Sequence, residues 1–358
     1  MSKSKGKMKA APSGKRPRRN VGAARRARKN VAKNSVIIFW FTAILLVALF
    51  VGRWVTAIAK GYTGSFVQVD ASAAQAVSNM KGRTPGAEER QTLLPLQREW
   101  DLFASSRLRD EVTTTAPDGA ELHGYLYNEG ADVTVVVLPQ FYDDGTADFL
   151  PAASLYELTG CNLLLPDPRA HGESGGSYFT YGINEQNDLA SWLSWADTAL
   201  GKQTFILWGV GTGANTALMA AVHGLLPEST AFVVAESPYA SLHELAAEQI
   251  TRWYTVPVFP FLTAIEGRIA ALPIDFAVTD VDLPAILAAE DAVTPTVPVL
   301  FLTSAYDTYV RPEWSQAVED AWPGAHESVS GGGAHGTVYT AERESIDALL
   351  AAWWDARG

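Results

Sequence analysis

The sequence predicts an α/β fold, a doubly wound and mostly parallel β-sheet with a helical cap insertion, preceded by one N-terminal transmembrane helix. Short apolar runs rich in β-branched residues recur between residues 133 and 304, and stretches with helical periodicity separate them. Continuous apolar runs are typical of strands buried on both faces of a parallel sheet, and their alternation with helices indicates right-handed crossovers. A run of nineteen uncharged residues, 34–52, predicts the membrane helix.

The N-terminus joins a basic tail to this apolar run. Residues 1–34 hold thirteen Lys and Arg and no acidic residue, so all 39 acidic residues of the chain lie further along. Nineteen residues at about 1.5 Å each span roughly 30 Å of hydrocarbon. Positive charge before the only long apolar run places that end in the cytoplasm. We expect a cytoplasmic tail over 1–34, a helix in membrane lipid over 35–59, and a C-terminal domain outside the cell membrane.

Other interpretations of this end of the chain stay open. Ala57-Ile58-Ala59 has the small-x-small form of a signal-peptide cleavage site, but the apolar core is longer than that of most signal peptides. A Lys/Arg-rich arm could bind nucleic acid, yet the apolar run that follows favours a membrane topology, and we expect no nucleic-acid partner. A core helix of a globular domain is disfavoured by the flanking charges.

The rest of the chain divides into a stalk, predicted over 60–105, and a domain over 106–357. The domain begins with a predicted β-hairpin around Pro117-Asp118-Gly119. Five strands are predicted over 133–138, 162–166, 204–209, 231–236 and 297–304, with helices over 147–158, 186–199, 213–224, 312–320 and 341–355.

Residues 238–292 are too long for a simple connection between a strand and a helix. They contain WYTVPVFPFL, an aromatic and proline-rich segment. Open α/β sheets bind ligands at the carboxyl edge of their strands. We expect a cap over that edge with an acyl or hydrophobic small molecule beneath it; the alternative is an insertion that only buries its own apolar side chains.

A loop directly after the strand NLLLP carries the most specific motif. Asp167 to Gly176 resembles the D-x-R-x-H-G-x-S-x-G loop of the α/β-hydrolase superfamily, and Gly182 to Asp188 is similar to its G-x-x-E-x-x-D segment. The resemblance extends over about residues 110–357. It implies that His171 and Ser174 have structural roles.

The resemblance also assigns the catalytic positions. Strand TFILWG runs into Gly209-Val210-Gly211-Thr212-Gly213, which aligns with G-x-S-x-G and puts Gly211 where the nucleophilic serine belongs. The loop after VPVLFLTS places Asp307 as the carboxylate. The loop before the last helix places His335 as the base. His326 is a rival histidine, but it leads into the predicted last strand.

The oxyanion donors implied by the resemblance are incomplete. Pro139-Gln140 stands where the family commonly has His-Gly, and proline has no N–H. The backbone N–H of Gln140 or Phe141 would then have to donate, together with that of Thr212.

Glycine at the elbow changes the expected function. It tolerates the strained turn that costs another residue about 1–3 kcal/mol, while deleting the reactive hydroxyl. We expect a catalytically impaired relative of ester and amide hydrolases that binds a ligand or partner. One alternative is an active hydrolase that uses water activated by His335 and Asp307, or a non-standard nucleophile such as Thr212 or Ser237. Another is a structural membrane protein acting through its basic tail. The scattered histidines suggest no metal site, and we expect no cofactor.

Overall fold

The computed structural model describes residues 21–67, 98–140, 155–156, 158–289 and 293–356. The chain divides into two units between Trp54 and Val55.

A single long helix, α1, covers Val21–Phe66. Within it, Lys33–Gly64 contains an 18-residue stretch with a mean hydropathy of 2.6 and is long and apolar enough to cross a membrane. The large apolar side chains from Val36 to Trp54 are exposed. At 1.5 Å per residue the 32-residue segment measures about 48 Å, more than the roughly 30 Å that a hydrocarbon layer requires. The helix continues through residues 60–66, which the sequence assigned to the stalk.

The second unit is built on one eight-stranded sheet in the order β1-β2-β4-β3-β5-β6-β7-β8. Its strands are β1 Asp110–Thr115, β2 Glu121–Tyr127, β3 Val133–Leu138, β4 Asn162–Pro166, β5 Thr204–Val210, β6 Thr230–Glu236, β7 Val299–Ser304 and β8 His326–Gly331. The β1–β2 and β2–β4 pairs are antiparallel and the other five neighbouring pairs are parallel. This confirms the predicted mostly parallel sheet and the hairpin at its edge.

Helices cover both faces of this sheet. They are α2 at 98–105, α3 Glu185–Ala199, α4 Thr212–Val222, α5 Leu242–Tyr254, α6 Val258–Ile269, α7 Leu283–Leu287, α8 Pro312–Ala321, α9 Val338–Ala341 and α10 Arg343–Asp355. Successive side chains of a strand point to opposite faces. Val136 of β3 therefore joins one apolar cluster with residues of α3 and α4, while Val135 joins another with residues of α2 and α10. The doubly wound prediction is confirmed.

The insertion between β6 and β7 is helical and contains α5, α6 and α7. Phe261 and Ile265 of α6 are buried, whereas Phe259 at its start is 76% exposed. The connection leaves the sheet at the carboxyl end of β6 and returns to the amino end of β7. It begins at the sheet edge where the candidate site lies.

Candidate active site

A tight bend joins β5 to α4 at Gly211. This residue has φ +52° and ψ −111°, a conformation that glycine adopts without the penalty of a Cβ atom. Its N–H donates to the carbonyl of Glu236 at 2.8 Å, and its own carbonyl accepts the N–H of Asn215 at 3.0 Å. The bend is thus fixed to β6 on one side and to the first turn of α4 on the other.

Two flanking glycines are required by the close approach of backbone segments. A Cβ atom on Gly213 would lie 1.9 Å from the carbonyl oxygen of Leu138, and one on Gly209 would lie 2.5 Å from the nitrogen of Ala214. Neither distance leaves room for a methyl group, because the colliding atoms belong to the backbone. The GVGTG sequence is therefore explained sterically at both of its outer glycines.

Asp307 and His335 form a buried pair at the carboxyl edge of the sheet. Asp307 follows β7 and His335 follows β8, and the Nδ1 atom of His335 lies 2.7 Å from Oδ2 of Asp307. Only 4% of the imidazole and 1% of the carboxylate are exposed. The other carboxylate oxygen accepts the backbone N–H groups of Tyr309 and Val310, each at 2.8 Å.

These contacts determine the ionisation of Asp307. Burial raises the pKa of this carboxyl, but the charge of His335 and the hydrogen bonds from His335 and from two backbone N–H groups outweigh it and hold the pKa below the ordinary value. An ionised carboxylate only accepts hydrogen bonds, so Nδ1 of His335 carries the proton that it donates to Asp307. Nε2 is then the nitrogen that can act as a base when the imidazole is neutral.

Residue 211 faces that imidazole. A Cβ atom built on Gly211 would lie 3.2 Å from Nε2 and 3.5 Å from Cε1 of His335, and 3.5 Å from the Cβ atom of Gln140. The structure therefore brings together Gly211, His335 and Asp307, in the chain order that the sequence motif requires. Because residue 211 is a glycine, no side chain extends from the bend toward Nε2.

The loop that carries His335 is held in a tight turn. Gly333 has φ +104°, and the hydroxyl of Thr337 accepts the N–H of Ala334 at 2.7 Å while donating to the carbonyl of the same residue at 2.9 Å. The run of three glycines in the sequence thus serves a turn whose backbone requires at least one residue without a side chain.

The predicted oxyanion donors are placed only in part. Gln140 lies beside residue 211, and Thr212 begins α4, where the first N–H groups of a helix lack partners within the helix. Phe141, the other predicted donor, lies outside the described residues. The assignment of the hole to these backbone groups stays a prediction.

The Asp167–Gly176 loop makes contacts of a structural kind. The guanidinium of Arg169 donates to both carboxylate oxygens of Asp188, at 2.7 and 2.5 Å. The hydroxyl of Ser174 accepts the N–H of His123 on β2 and donates to the carbonyl of Asp167. Nδ1 of His171 lies 2.9 Å from the carbonyl of Arg169, and burial lowers the pKa of His171. These bonds tie the loop to β2 and α3.

The other residues weighed from the sequence stand apart from this arrangement. His326 begins β8, at the amino edge of a strand parallel to β7, and is exposed. Thr212 lines a cavity of about 40 Å³ together with Arg169 and Thr216, and neither Gly211 nor His335 contributes to that lining. Ser237, with φ +50°, is fully buried, and its hydroxyl makes no hydrogen bond to any residue that the structure describes.

Sequence reasoning missed Glu236, which ends β6. It is 1% exposed, and its Oε1 accepts the N–H of Val338 at 2.8 Å, three residues after His335. Burial, which the bond to Val338 and the charge of His335 only partly offset, raises its pKa to about 7. An acidic residue closing the apolar run AFVVAE was the available signal. Within the described ranges, no group of three or more His, Cys, Asp or Glu side chains could hold a metal ion.

Comparison with other proteins identifies relatives of the fold. No family model matches the chain. YqkD, an uncharacterized protein of Bacillus subtilis (strain 168), is 25% identical over 250 residues, covering 68% of this chain and 79% of YqkD. The esterase Pf2001 of Pyrococcus furiosus has a similar structure, with a TM-score of 0.56 and 20% identity over 71% of this chain and 94% of its own. DcsB, solved in complex with its substrate analogue, has a TM-score of 0.50 and is 18% identical. That match covers 69% of this chain and 98% of DcsB. At these identities the structural likeness is one of fold.

Proposed function

Because the chain has the α/β-hydrolase fold, we propose that it is a membrane-anchored, extracytoplasmic relative of ester and amide hydrolases that binds its ligand without covalent turnover. The observation that carries this proposal is the position of Gly211. It occupies the bend where a side chain would meet Nε2 of His335, and it supplies no nucleophilic atom.

The loss of a serine at this position removes the covalent route. In well-studied serine hydrolase triads, loss of the nucleophile removes most of the rate, and binding with oxyanion stabilisation leaves roughly 10³–10⁴-fold over water. A threonine or serine elsewhere would need its hydroxyl within reach of the imidazole. Thr212 lines a different cavity and the Ser237 hydroxyl makes no hydrogen bond among the described residues, so neither supports a substitute nucleophile.

A second candidate function is supported by the intact pair of Asp307 and His335. The carboxylate keeps its 2.7 Å hydrogen bond to the imidazole and two backbone donors, an arrangement that maintains Nε2 as a base. A water molecule in the space of the absent hydroxymethyl group would lie beside that base. General-base activation of water typically contributes about 10²–10⁴-fold to a rate. On this alternative the protein is a slow hydrolase without an acyl-enzyme intermediate.

The ligand side of the proposal follows from the helical insertion. A connection that leaves the sheet beside the site and exposes Phe259 supports an acyl-bearing or hydrophobic small molecule as the ligand. Its identity is a matter for binding experiments with esters of graded chain length.

A single-pass anchor completes the proposal. The exposed apolar side chains from Val36 to Trp54 support contact with membrane lipid over most of the predicted 35–59 span, whose later residues Val55 and Ala59 are buried. The thirteen basic residues before the span support a cytoplasmic N-terminus. Protease added to intact cells should then digest the C-terminal domain. Protection of that domain in intact cells, with digestion only after lysis, would reverse the topology.

One ligand, p-nitrophenyl octanoate, distinguishes the two candidate functions. Calorimetry should detect saturable binding to the full chain in detergent, while p-nitrophenolate release stays equal to that of His335→Ala, the matched control that lacks the base. Release at least tenfold above this control, without a covalent adduct in the intact mass, would support the water mechanism. Absence of saturable binding across ester chain lengths would contradict the ligand-binding proposal.

A further inference from the structure

The last turns of α1, from Val55 onward, belong to the second unit. Val55, Ala59, Tyr62 and Thr63 are each at most 9% exposed, and their spacing of three and four residues puts them on one face of the helix. At the end of the helix, the carbonyl of Val67 accepts the N–H of Phe179 at 2.8 Å. This part of the chain is therefore packed against the domain, although the sequence assigned it to the end of the membrane helix and the start of a stalk.

The hydroxyl of Tyr62 begins a line of two hydrogen bonds that run from α1 to the loop after β7. It donates to Oε1 of Gln249 on α5 at 2.7 Å, and Nε2 of Gln249 donates to the hydroxyl of Tyr309 at 2.9 Å. Gln249 is 3% exposed. Because the carbonyl end of the amide accepts from one tyrosine and the amino end donates to the other, the orientation of this side chain is fixed by both.

Tyr309 touches both members of the buried pair. Its backbone N–H donates to Oδ1 of Asp307 at 2.8 Å, and its ring lies against the imidazole of His335, with 4.9 Å between ring centroids. The carboxylate and the imidazole are thus each held in part by the residue at the end of the line from Tyr62.

The same face of α5 contacts the loop after β7 at two further points. Arg252 donates to the carbonyl of Thr308, and Arg311 forms an ion pair with Glu248. Residues 248, 249 and 252 lie within one turn of a helix. Helix α5 is therefore bound at several points to the loop that carries Asp307. Its buried residue Gln249 also forms the hydrogen bond to α1.

We propose that Tyr62 is a positioning residue for the Asp307–His335 pair, which it holds in register through Gln249 and Tyr309. The end of α1 thus supports the site through hydrogen bonds, without contacting Asp307 or His335 in the contacts described above. Loss of the Tyr62 hydroxyl leaves a buried acceptor on Gln249 without its donor, and a polar group in that state favours rearrangement of its neighbours. The displacement reaches Tyr309, and with it a donor to the carboxylate that orients His335.

The test measures the His335 Nδ1–H proton by NMR, in full-length protein labelled with ¹⁵N-histidine and solubilised in detergent. An Asp307→Asn variant assigns the resonance. Tyr62→Phe removes only the hydroxyl, and we expect exchange of the proton with water to accelerate about tenfold, the effect of one lost hydrogen bond. Tyr127→Phe, on β2 in the apolar cluster on the other face of the sheet, is the matched control and should leave exchange unchanged.

Gln249→Met, which removes both side-chain bonds but keeps the length, should accelerate exchange at least as much as Tyr62→Phe. It also provides the measurement if the tyrosine variant fails to fold. The proposal is overturned if either variant, Tyr62→Phe or Gln249→Met, folds and shows the wild-type exchange rate of the His335 Nδ1–H proton. Tyr62 would then be a packing residue only, whatever the melting temperature of the variant. The experiment requires neither ligand nor turnover, so its outcome is separate from that of the proposed function.

Discussion

Introducing a serine at residue 211 is the sharpest perturbation that the geometry offers. In Gly211→Ser, the new Cβ atom would lie 3.2 Å from Nε2 of His335, so the imidazole must move by a few tenths of an ångström. The backbone at φ +52° and ψ −111° costs a residue with a side chain about 1–3 kcal/mol. Unfolding free energy should fall by that amount. For a domain of this size the melting temperature then drops by roughly 2–12 °C.

The same substitution should create a reactive serine. We expect the purified variant to react with a fluorophosphonate and to release p-nitrophenolate from a short-chain ester. Because general-base assistance is typically worth about 10²–10⁴-fold, the double variant Gly211→Ser/His335→Ala should react at least about 10²-fold more slowly. In-gel fluorescence, followed over time, measures the fluorophosphonate labelling rates of the single and the double variant.

Gly211→Ala provides the matched control. It introduces the same Cβ atom and backbone strain but no hydroxyl, so it should lose similar stability and gain no labelling. Refutation would come from a folded Gly211→Ser protein that labels no faster than Gly211→Ala. That result would mean that residue 211 is not aimed at His335 or that oxyanion donors are absent. Equal labelling with and without His335 would remove the imidazole from the mechanism.

Three other predictions concern the surroundings of the site. Gly213→Ala should abolish soluble folded protein, since its methyl carbon would lie 1.9 Å from the carbonyl oxygen of Leu138, and circular dichroism checks this. The pKa of Glu236 is about 7 in the folded protein and 4.5 in the unfolded chain. Between these two pH values the folded protein holds a proton that the unfolded chain has lost, so the free energy of unfolding falls as the pH rises from 4.5 to 7. Glu236→Gln should abolish this pH-dependent decrease in stability, which amounts to at most about 3 kcal/mol. Its melting temperature should therefore drop less between pH 5 and pH 8 than that of the wild type. Arg169→Met leaves the carboxylate of Asp188 buried without its partner and should cost about 3–5 kcal/mol in chemical denaturation.

Most of the sheet could be predicted from the sequence because its strands are buried on both faces. VTVVVL and NLLLP are continuous apolar runs, and their bounds in the structure match the predicted ones. The elbow was also visible, since close backbone approach at Gly209 and Gly213 leaves a local glycine pattern. The assignment of Asp307 and His335 followed from the resemblance of their loops to those of the α/β-hydrolase superfamily.

Features made by contacts between distant segments were not accessible in this way. Residues 60–66, KGYTGSF, contain two glycines and have weak helix propensity, yet the helix continues there because Tyr62 and Thr63 pack into the domain. The hydrogen bond from Tyr62 to Gln249 joins residues 187 positions apart. Glu236 was overlooked because its partner, Val338, lies 102 positions further along the chain.

The measurement that bears most directly on the central claim is the intact mass of the wild-type protein after prolonged exposure to a fluorophosphonate. If Gly211 leaves His335 and Asp307 without a nucleophile, the mass should remain that of the untreated chain. A stoichiometric adduct that disappears in His335→Ala, mapped to Ser237, Thr212 or any other hydroxyl, would show that the imidazole still activates a covalent nucleophile.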